Sequence, residues 1–181
     1  MKKLLWLILT TTSTLVSATS ASTYDSGVYF NMNAGFASIQ NLPTGTVALS
    51  SNVGYKFNRG FALEAGWTGM PNEQWGWLSS YNIYDIAVKG TIPFNNMFSL
   101  YGRLGAAVAY SAWSGTSGSP AIYNSANSAT SLVGLAGIGA SFALSRHFDL
   151  RLEDYAYLPI NQQVGGFGGV NVISGGFQFN F

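Results

Sequence analysis

The chain contains very little charge and no cysteine. Only 8% of its 181 residues are charged, whereas an average soluble domain carries about 25%. The absence of cysteine excludes a disulfide framework and thiolate metal ligands. The single histidine, His147, cannot form a histidine cluster. We therefore expect neither a metal site nor a cofactor.

Long apolar runs are also missing beyond the N-terminus. A membrane-spanning helix needs about 20 consecutive apolar residues, and no stretch after Ala21 approaches that length. Disordered chains have many charges and few aromatics, whereas 15% of this chain is aromatic and 48% is apolar. The composition indicates a folded protein whose outer surface does not face water.

The N-terminus has the organisation of a secretory signal. Two lysines precede an apolar run, Leu4 to Leu9, and a Thr/Ser-rich stretch then ends in small residues. Cleavage after Ala18 or Ala21 fits the small-residue rule for signal peptides. We therefore predict a signal peptide over residues 1–21 and a single domain over residues 22–181.

Removal of the signal leaves a nearly neutral chain. The full sequence has 8 basic and 7 acidic residues, and cleavage removes the two N-terminal lysines. Six basic residues then remain against seven acidic ones. The sequence therefore offers no basic patch, and we expect no binding to nucleic acid.

The C-terminal segment alternates between apolar and polar residues. Ile173, Phe177, Phe179 and Phe181 share one phase, and Gln178 belongs to the other. Successive side chains of a strand point to opposite faces, so this segment predicts a strand with one apolar face. A soluble protein rarely leaves such an edge free, whereas the closing strand of a barrel in a bilayer needs an apolar outer face.

The same alternation recurs along the chain and predicts eight strands. Their predicted bounds are Gly27 to Ala37, Thr46 to Phe57, Phe61 to Thr68, Tyr81 to Phe94, Phe98 to Tyr110, Thr130 to Leu144, Phe148 to Leu158 and Gly169 to Phe181. Tight turns are predicted at Arg59, Asn95 and Arg146. Longer connections are predicted at Ser38 to Gly45, Gly69 to Ser80, Ser111 to Ala129 and Pro159 to Gly168.

This alternation of short and long connections is typical of outer-membrane barrels, which have short periplasmic turns and longer extracellular loops. The sequence therefore predicts an all-β fold: an eight-stranded antiparallel up-and-down transmembrane β-barrel. An even number of strands places both termini at the periplasmic end.

Nearly every strand charge falls on one phase. The charged residues of this phase are Lys56, Glu64, Asp85, Lys89, Arg103, Asp149, Arg151 and Glu153. A charge that faces lipid near the midplane costs about 2–4 kcal/mol, so we assign this phase to the lumen. Asp154 breaks the pattern, and we place it on the lipid side near the outer rim, where the cost is lowest. A soluble barrel would show the opposite arrangement and more charge.

Aromatic residues concentrate on the outward phase at both ends of the predicted strands. Phe57, Phe61 and Phe179 lie near the turn end, whereas Phe36 and Trp67 lie near the loop end. Two such groups match the aromatic girdles found where a barrel meets the two membrane surfaces. Because an eight-stranded barrel is narrow, we expect its lumen to hold mainly smaller side chains.

Four short pieces in a fixed order carry a resemblance to a known family. They are Phe61 to Trp67 (FALEAGW), Ala87 to Pro93 (AVKGTIP), Leu100 to Gly105 (LYGRLG) and Arg151 to Glu153 (RLE). With these pieces and a terminal Phe181, the chain resembles the OmpA-like outer-membrane β-barrel family from about Gly27 onwards. The resemblance implies an integral, multi-pass protein in the outer membrane of a Gram-negative bacterium. Larger members add a periplasmic peptidoglycan-binding domain. Because nothing follows Phe181, we expect the transmembrane domain only.

In the family that the chain resembles, a charged cluster plugs the lumen and can act as a gate. Its acid on the third strand, its lysine on the fourth and its arginine on the seventh fall on Glu64, Lys89 and Arg151. Its acid on the sixth strand falls on Ser141, so the family's switch is not intact. The acids that can balance the basic groups instead are Asp85, Asp149 and Glu153. The candidate lumen charge cluster is Glu64, Asp85, Lys89, Arg103, Arg151 and Glu153.

We expect a structural role in membrane integrity, together with surface recognition through the long loops. Exposed aromatics favour binding. The candidate loop contacts are Trp75, Trp77, Trp113 and Tyr123. The expected partners are outer-membrane lipid and lipopolysaccharide, a host or phage surface ligand and the outer-membrane assembly machinery. The family resemblance implies that the assembly signal is carried by the terminal aromatics Phe177, Phe179 and Phe181.

Two other functions remain as alternatives. The first is a narrow gated pore for small solutes or ions. The second, which the sequence favours less, is an enzyme that modifies outer-membrane lipids. Its nucleophile would need a base near the outer leaflet or the loops, but His147 falls in a predicted periplasmic turn. Because Glu73 is the sole acid in the predicted outer loops, we predict that the protein is not an enzyme.

Overall fold

The computed structural model of the protein describes residues 26–40, 45–74, 77–115, 127–160 and 169–181. The predicted signal peptide and its cleavage sites lie outside these residues. The strands are β1 (Gly27–Ile39), β2 (Thr46–Asn58), β3 (Phe61–Gln74), β4 (Trp77–Pro93), β5 (Phe98–Gly115), β6 (Asn127–Ala143), β7 (Phe148–Pro159) and β8 (Val170–Asn180). At the turn end they begin and end within about one or two residues of the predicted positions, as strand ends do in general.

The eight strands form one closed sheet. Each strand pairs antiparallel with the next, and β1 pairs with β8 from Tyr29 opposite Asn180 to Ile39 opposite Val170. Closure satisfies the backbone groups of every strand within the sheet, which is the condition for crossing a bilayer. The prediction of an eight-stranded up-and-down β-barrel is therefore confirmed. The described part of the chain holds no helix that is long and apolar enough to cross a membrane.

Four strands, β3 to β6, extend by three residues or more beyond their predicted loop ends. β3 continues to Gln74, and β5 and β6 reach Gly115 and Asn127. The loops predicted at Gly69 to Ser80 and Ser111 to Ala129 are therefore wrong: the first is strand in all its described residues, and the second is strand at both ends. Above the membrane both faces of a strand meet water, so the apolar alternation ends while the ladder of hydrogen bonds continues.

Side chains alternate between lipid and lumen along the membrane-spanning strands. Leu104 and Ile138 are 69% and 70% exposed on the outer surface, whereas Arg103 and Arg151 are 3% and 0% exposed. All eight charged residues assigned to the lumen are buried or half-buried, and Asp154 is exposed on the outside. The predicted inward phase is confirmed, and Asp154 is confirmed as its exception. The predicted position of Asp154 near the outer rim was wrong, because it is the seventh of the twelve residues of β7.

Aromatic rings surround the turn end of the barrel. The ring centroids are 5.6 Å apart for Phe57 and Phe61, 4.9 Å for Phe98 and Phe142, and 5.0 Å for Phe179 and Phe181. Towards the loop end, Phe36 is exposed, and the rings of Tyr84 and Tyr110 are 5.9 Å apart. These two belts lie where girdles are expected at the membrane surfaces.

The lumen holds large aromatic side chains, so our expectation of mainly small ones was wrong. Tyr29 and Tyr101 are buried there, and each lies opposite a glycine of the neighbouring strand, Gly54 and Gly139. A Cβ on Gly54 would lie 2.2 Å from Cζ of Tyr29, and one on Gly139 would lie 2.4 Å from Cζ of Tyr101. Each ring therefore fills space that only glycine leaves open, which is how a narrow barrel accommodates tyrosine.

Candidate functional site: the lumen charge cluster

The structure brings all six residues of the lumen charge cluster together inside the barrel. They project from β3, β4, β5 and β7, and every one is at most 5% exposed. Their inward direction follows from the period of two along each strand, and their approach follows from the narrow lumen of an eight-stranded barrel.

Glu64 lies at the centre of the cluster and contacts three cations. Its Oε2 is 2.7 Å from Nε of Arg103, and its Oε1 is 3.2 Å from Nη1 of Arg151 and 3.6 Å from Nζ of Lys89. The hydroxyl of Tyr29 donates to Oε1 at 2.5 Å. This carboxylate is fully buried, with three cations and one hydroxyl donor against it, and such pairing is the condition under which a buried charge is tolerated.

Two further acids, Glu153 and Asp85, form ion pairs with the arginines of the cluster. Glu153 contacts Arg151 and lies 3.4 Å from Nη1 of Arg103, while Asp85 lies 3.3 Å from Nη2 of Arg103. Each acid also accepts a tyrosine hydroxyl, since Tyr101 donates to Glu153 at 2.7 Å and Tyr157 donates to Asp85 at 3.0 Å. Arg103 therefore bridges all three carboxylates of the cluster. The missing acid at Ser141 is compensated by Glu153 and Asp85.

Asp149, the third acid considered as a replacement, takes part in a different network nearer the turn end. Its Oδ2 accepts hydrogen bonds from the side-chain amides of Gln178 and Asn180 at 3.1 and 3.0 Å. Lys56 donates to Oδ1 of Asn180 at 2.7 Å. Gln178 links the two networks, because its Oε1 also accepts from Arg151 at 3.0 Å.

Sequence reasoning missed the tyrosines that cap the cluster. Lys89 lies 4.2 Å from the ring centroid of Tyr101, and the guanidinium carbon of Arg151 lies 4.9 Å from the same centroid, so cation–π contacts add to the ion pairs. One signal for Tyr29 was available. It shares its phase with Asn31 and Asn33, whose amides mark the inner face of β1.

The lumen changes character towards the loop end. Above the charged cluster, most inward side chains are apolar and buried: Ile39, Met70, Ile83, Val133, Val170 and Val172. Thr46, Thr68 and Ser131 are buried at the same end of the lumen. The interior therefore consists of a charged layer and, between it and the extracellular side, an apolar layer. Apolar constrictions oppose the passage of water and ions.

The other predicted site residues lie on the outside or beyond the described residues. Phe177, Phe179 and Phe181 face outwards and are 50%, 43% and 64% exposed. Trp77 and Trp113 lie on the extended parts of β4 and β5. Trp75 and Tyr123 lie outside the described residues.

His147 lies in the turn between β6 and β7, where its ring stacks 6.2 Å from that of Phe179. Within the described residues, no group of three or more His, Cys, Asp or Glu side chains is arranged to hold a metal ion.

A closed antiparallel barrel with an apolar exterior, aromatic girdles and a charged interior defines an integral outer-membrane protein. Residues 7–181 match the model of the outer membrane protein beta-barrel domain, and the chain belongs to this family. The protein is therefore a multi-pass β-barrel of a Gram-negative outer membrane. No curated protein matches the chain in sequence.

Several solved structures share the fold. Neisserial surface protein A is 13% identical with a TM-score of 0.69, and the match covers 87% of this chain and 97% of that protein. Ail, the attachment invasion locus protein of Yersinia pestis solved with the heparin analogue sucrose octasulfate, is 16% identical with a TM-score of 0.59, covering 86% and 97%. The N-terminal barrel of Pseudomonas aeruginosa OprF is 11% identical with a TM-score of 0.58, covering 84% and 97%. At these identities the likeness concerns the fold alone.

Proposed function

We propose that the protein is a structural outer-membrane barrel with a closed lumen, and that the extended ends of β3 to β6 form a surface recognition element. The observation that supports the structural role is that two layers, one charged and one apolar, fill the lumen one above the other. Such a barrel supports membrane integrity because it spans the membrane without adding a leak.

The charged layer supports closure because its groups are mutually paired. Each of Lys89, Arg103 and Arg151 lies within 4.0 Å of at least one carboxylate oxygen. Three basic groups face three acidic ones, Glu64, Asp85 and Glu153, so the cluster is neutral. A solute or ion would have to break several buried pairs at once, and each broken pair leaves an uncompensated charge.

Conductance in a planar bilayer tests the closed lumen against the alternative of a gated pore. The refolded barrel is first shown to migrate in a heat-modifiable way on a gel. We expect that Glu64→Ala lowers the heat stability and leaves the conductance at the wild-type level, because the apolar layer remains. Asn33→Ala, which alters a buried lumen amide outside the cluster, is the matched control. A rise in single-channel conductance in Glu64→Ala alone would support the gate and contradict the closed lumen.

The extension of the sheet beyond its predicted loop ends supports the recognition element. Trp113 lies on β5 opposite Ser79 of β4 and Asn127 of β6, so it is held by hydrogen-bonded strands rather than by an isolated loop. Aromatic residues on a rigid scaffold are favoured in binding surfaces. We propose Trp113 and the other candidate loop contacts, Trp75, Trp77 and Tyr123, as the residues that recognise the partner.

The chemistry of the ligand differs from that of the heparin analogue bound to Ail. Sulfate groups are recognised by Arg and Lys, but the sequence has no Lys or Arg in residues 38–50, 68–84, 108–132 or 158–172. We therefore propose an uncharged host or phage surface as the partner. Deletion of Pro120 to Ser128 is expected to reduce adhesion, and added heparin is expected not to compete. The deletion removes the first two residues of β6 as well, so unchanged adhesion would exclude both residues 120–128 and the strand pairing of Trp113 from recognition.

We further propose that the barrel has no catalytic role. His147 lies at the periplasmic end, away from the outer leaflet where a lipid-modifying enzyme would act. Incubation of the folded barrel with lipid A and phospholipid, followed by mass spectrometry of the lipids, tests this point. A product that depends on the folded protein would contradict it.

A further inference from the structure

We propose that the outer face of β4 to β8 binds one amide-linked acyl chain of an outer-leaflet glycolipid, and that Asp154 and Asn171 hold the amide group of that chain. The inference rests on a groove, on a polar pair at its upper end and on the hydrogen-bonding groups that this pair leaves open.

The groove is shallow, has a volume of about 800 Å³ and runs obliquely across the lipid-facing surface. Small outward-facing residues line it: Gly90, Gly102, Ala136 and Ala156. They are aligned by the strand register, in which Gly90 lies opposite Gly102 and Ala136 lies opposite Ala156. The groove runs from Asp154 and Asn171 towards Phe61 at the turn end, the direction in which an acyl chain enters the membrane from the outer leaflet.

Asp154 and Asn171 form a polar pair on an otherwise apolar surface. The side-chain amide of Asn171 donates to Oδ1 of Asp154 at 2.9 Å, and both side chains are exposed. Asp154 lies between Ile138 and Ile173 on the neighbouring strands. Within the described residues, every lysine and arginine either faces the lumen or lies in a turn at the other end. The charge of Asp154 thus has no protein cation beside it on the outer surface.

The hydrogen-bonding atoms of Asp154 and Asn171 that are left without a partner favour an amide-linked acyl chain over an ester-linked one. The second oxygen of Asp154 needs a hydrogen-bond donor, and the second N–H of Asn171 needs an acceptor. An amide-linked chain offers one of each, an N–H and a carbonyl. An ester-linked chain offers acceptors only and leaves the carboxylate without a donor. Asp154 is the seventh of the twelve residues of β7, and Asn171 is the second residue of β8 from its loop end. The pair therefore extends from the middle of the barrel wall towards the outer leaflet, where N-acylated glycolipid resides.

Native mass spectrometry of the folded barrel tests the proposal, with purified lipid A as the amide-linked probe and phosphatidylglycerol as the ester-linked one. We expect the wild type to retain lipid A about tenfold better than phosphatidylglycerol, as one charge-assisted hydrogen bond implies. Asp154→Leu is expected to remove this preference. The variant replaces a lipid-facing charge with leucine, so it should fold at least as well as the wild type.

A second variant examines the groove itself. Ala136→Leu fills the groove and is expected to lower the retention of lipid A, whereas Ala65→Leu, on the lipid-facing surface of β3 outside the groove, should leave it unchanged. Ala156→Leu replaces Ala136→Leu if the latter loses heat-modifiable migration. Equal retention of both lipids by the wild type, or an unchanged preference in Asp154→Leu, would overturn the proposal. A dimer that Asp154→Leu abolishes would also overturn it, because a second copy would then occupy the groove.

Discussion

Replacement of Arg103 by methionine is the most direct test of the lumen charge cluster as a stabilising element. Arg103 is almost fully buried and contacts Glu64, Asp85 and Glu153 at 2.7, 3.3 and 3.4 Å. Methionine keeps much of the volume but leaves three buried carboxylates with two remaining cluster cations. Loss of one partner of a buried ion pair costs about 3–5 kcal/mol. We therefore expect Arg103→Met to lower the free energy of unfolding by about that amount.

The measurement is urea-induced unfolding in lipid vesicles, followed by tryptophan fluorescence and by gel migration. A second change provides the internal check: Asp85→Asn removes one negative charge, so the double variant Arg103→Met/Asp85→Asn regains a balanced cluster and is expected to recover part of the loss. Ser99→Ala on the same strand is the control. A loss below about 1 kcal/mol in Arg103→Met, the value typical of an exposed pair, would refute the role assigned to the cluster.

Three further predictions concern other parts of the barrel. Gly54→Val is expected to destabilise the barrel by about 1–3 kcal/mol or more, because the added Cβ would clash with the ring of Tyr29. Gly90→Val is the control in the same unfolding assay and should be nearly neutral, because there is open space around Gly90. Phe181→Ser is expected to lower the amount of barrel assembled in cells while leaving refolding in detergent unchanged, as seen by gel migration; equal losses in both would contradict an assembly signal. The melting temperature is expected to change little between about 0.1 and about 1 M salt, because salt screens buried ion pairs far less than exposed ones. A steep fall in the melting temperature with added salt would mean that the charge cluster is open to solvent.

The membrane-spanning part of the fold was predictable because lipid and lumen impose opposite chemistry on alternate residues. The strict alternation around Leu104 and Arg103 reveals both the strand and its direction. Where the bilayer ends, this contrast ends too, which is why the extension of β3 to Gln74 was missed. The alternation of apolar and polar residues depends on the environment of a strand. A strand with water on both faces does not need this alternation, so the sequence gives little indication of it.

The membership of the charge cluster was largely predictable, but its pairing was not. Glu64 and Arg151 are 87 residues apart in the chain and contact each other across the lumen. That contact depends on strand tilt and on the stagger between strands, which the residue pattern does not encode. The tyrosines were misjudged for a related reason: room for Tyr29 depends on Gly54, a residue of the neighbouring strand.

Gln178 connects the closing of the barrel to the completion of its interior. It lies on the last strand, accepts hydrogen bonds from Lys89 and Arg151, and donates to Asp149. Gln178 already lies opposite Asp149 when β8 pairs with β7, but Lys89 of β4 reaches it only once β8 has docked against β1. Until then, the open side of the curved sheet still admits water to the charged groups. Dehydration of the interior therefore becomes favourable only when the circle of strands is complete. Partly closed intermediates keep charged groups in contact with water inside an incomplete lumen, so the docking of β8 decides whether the whole barrel reaches its folded state.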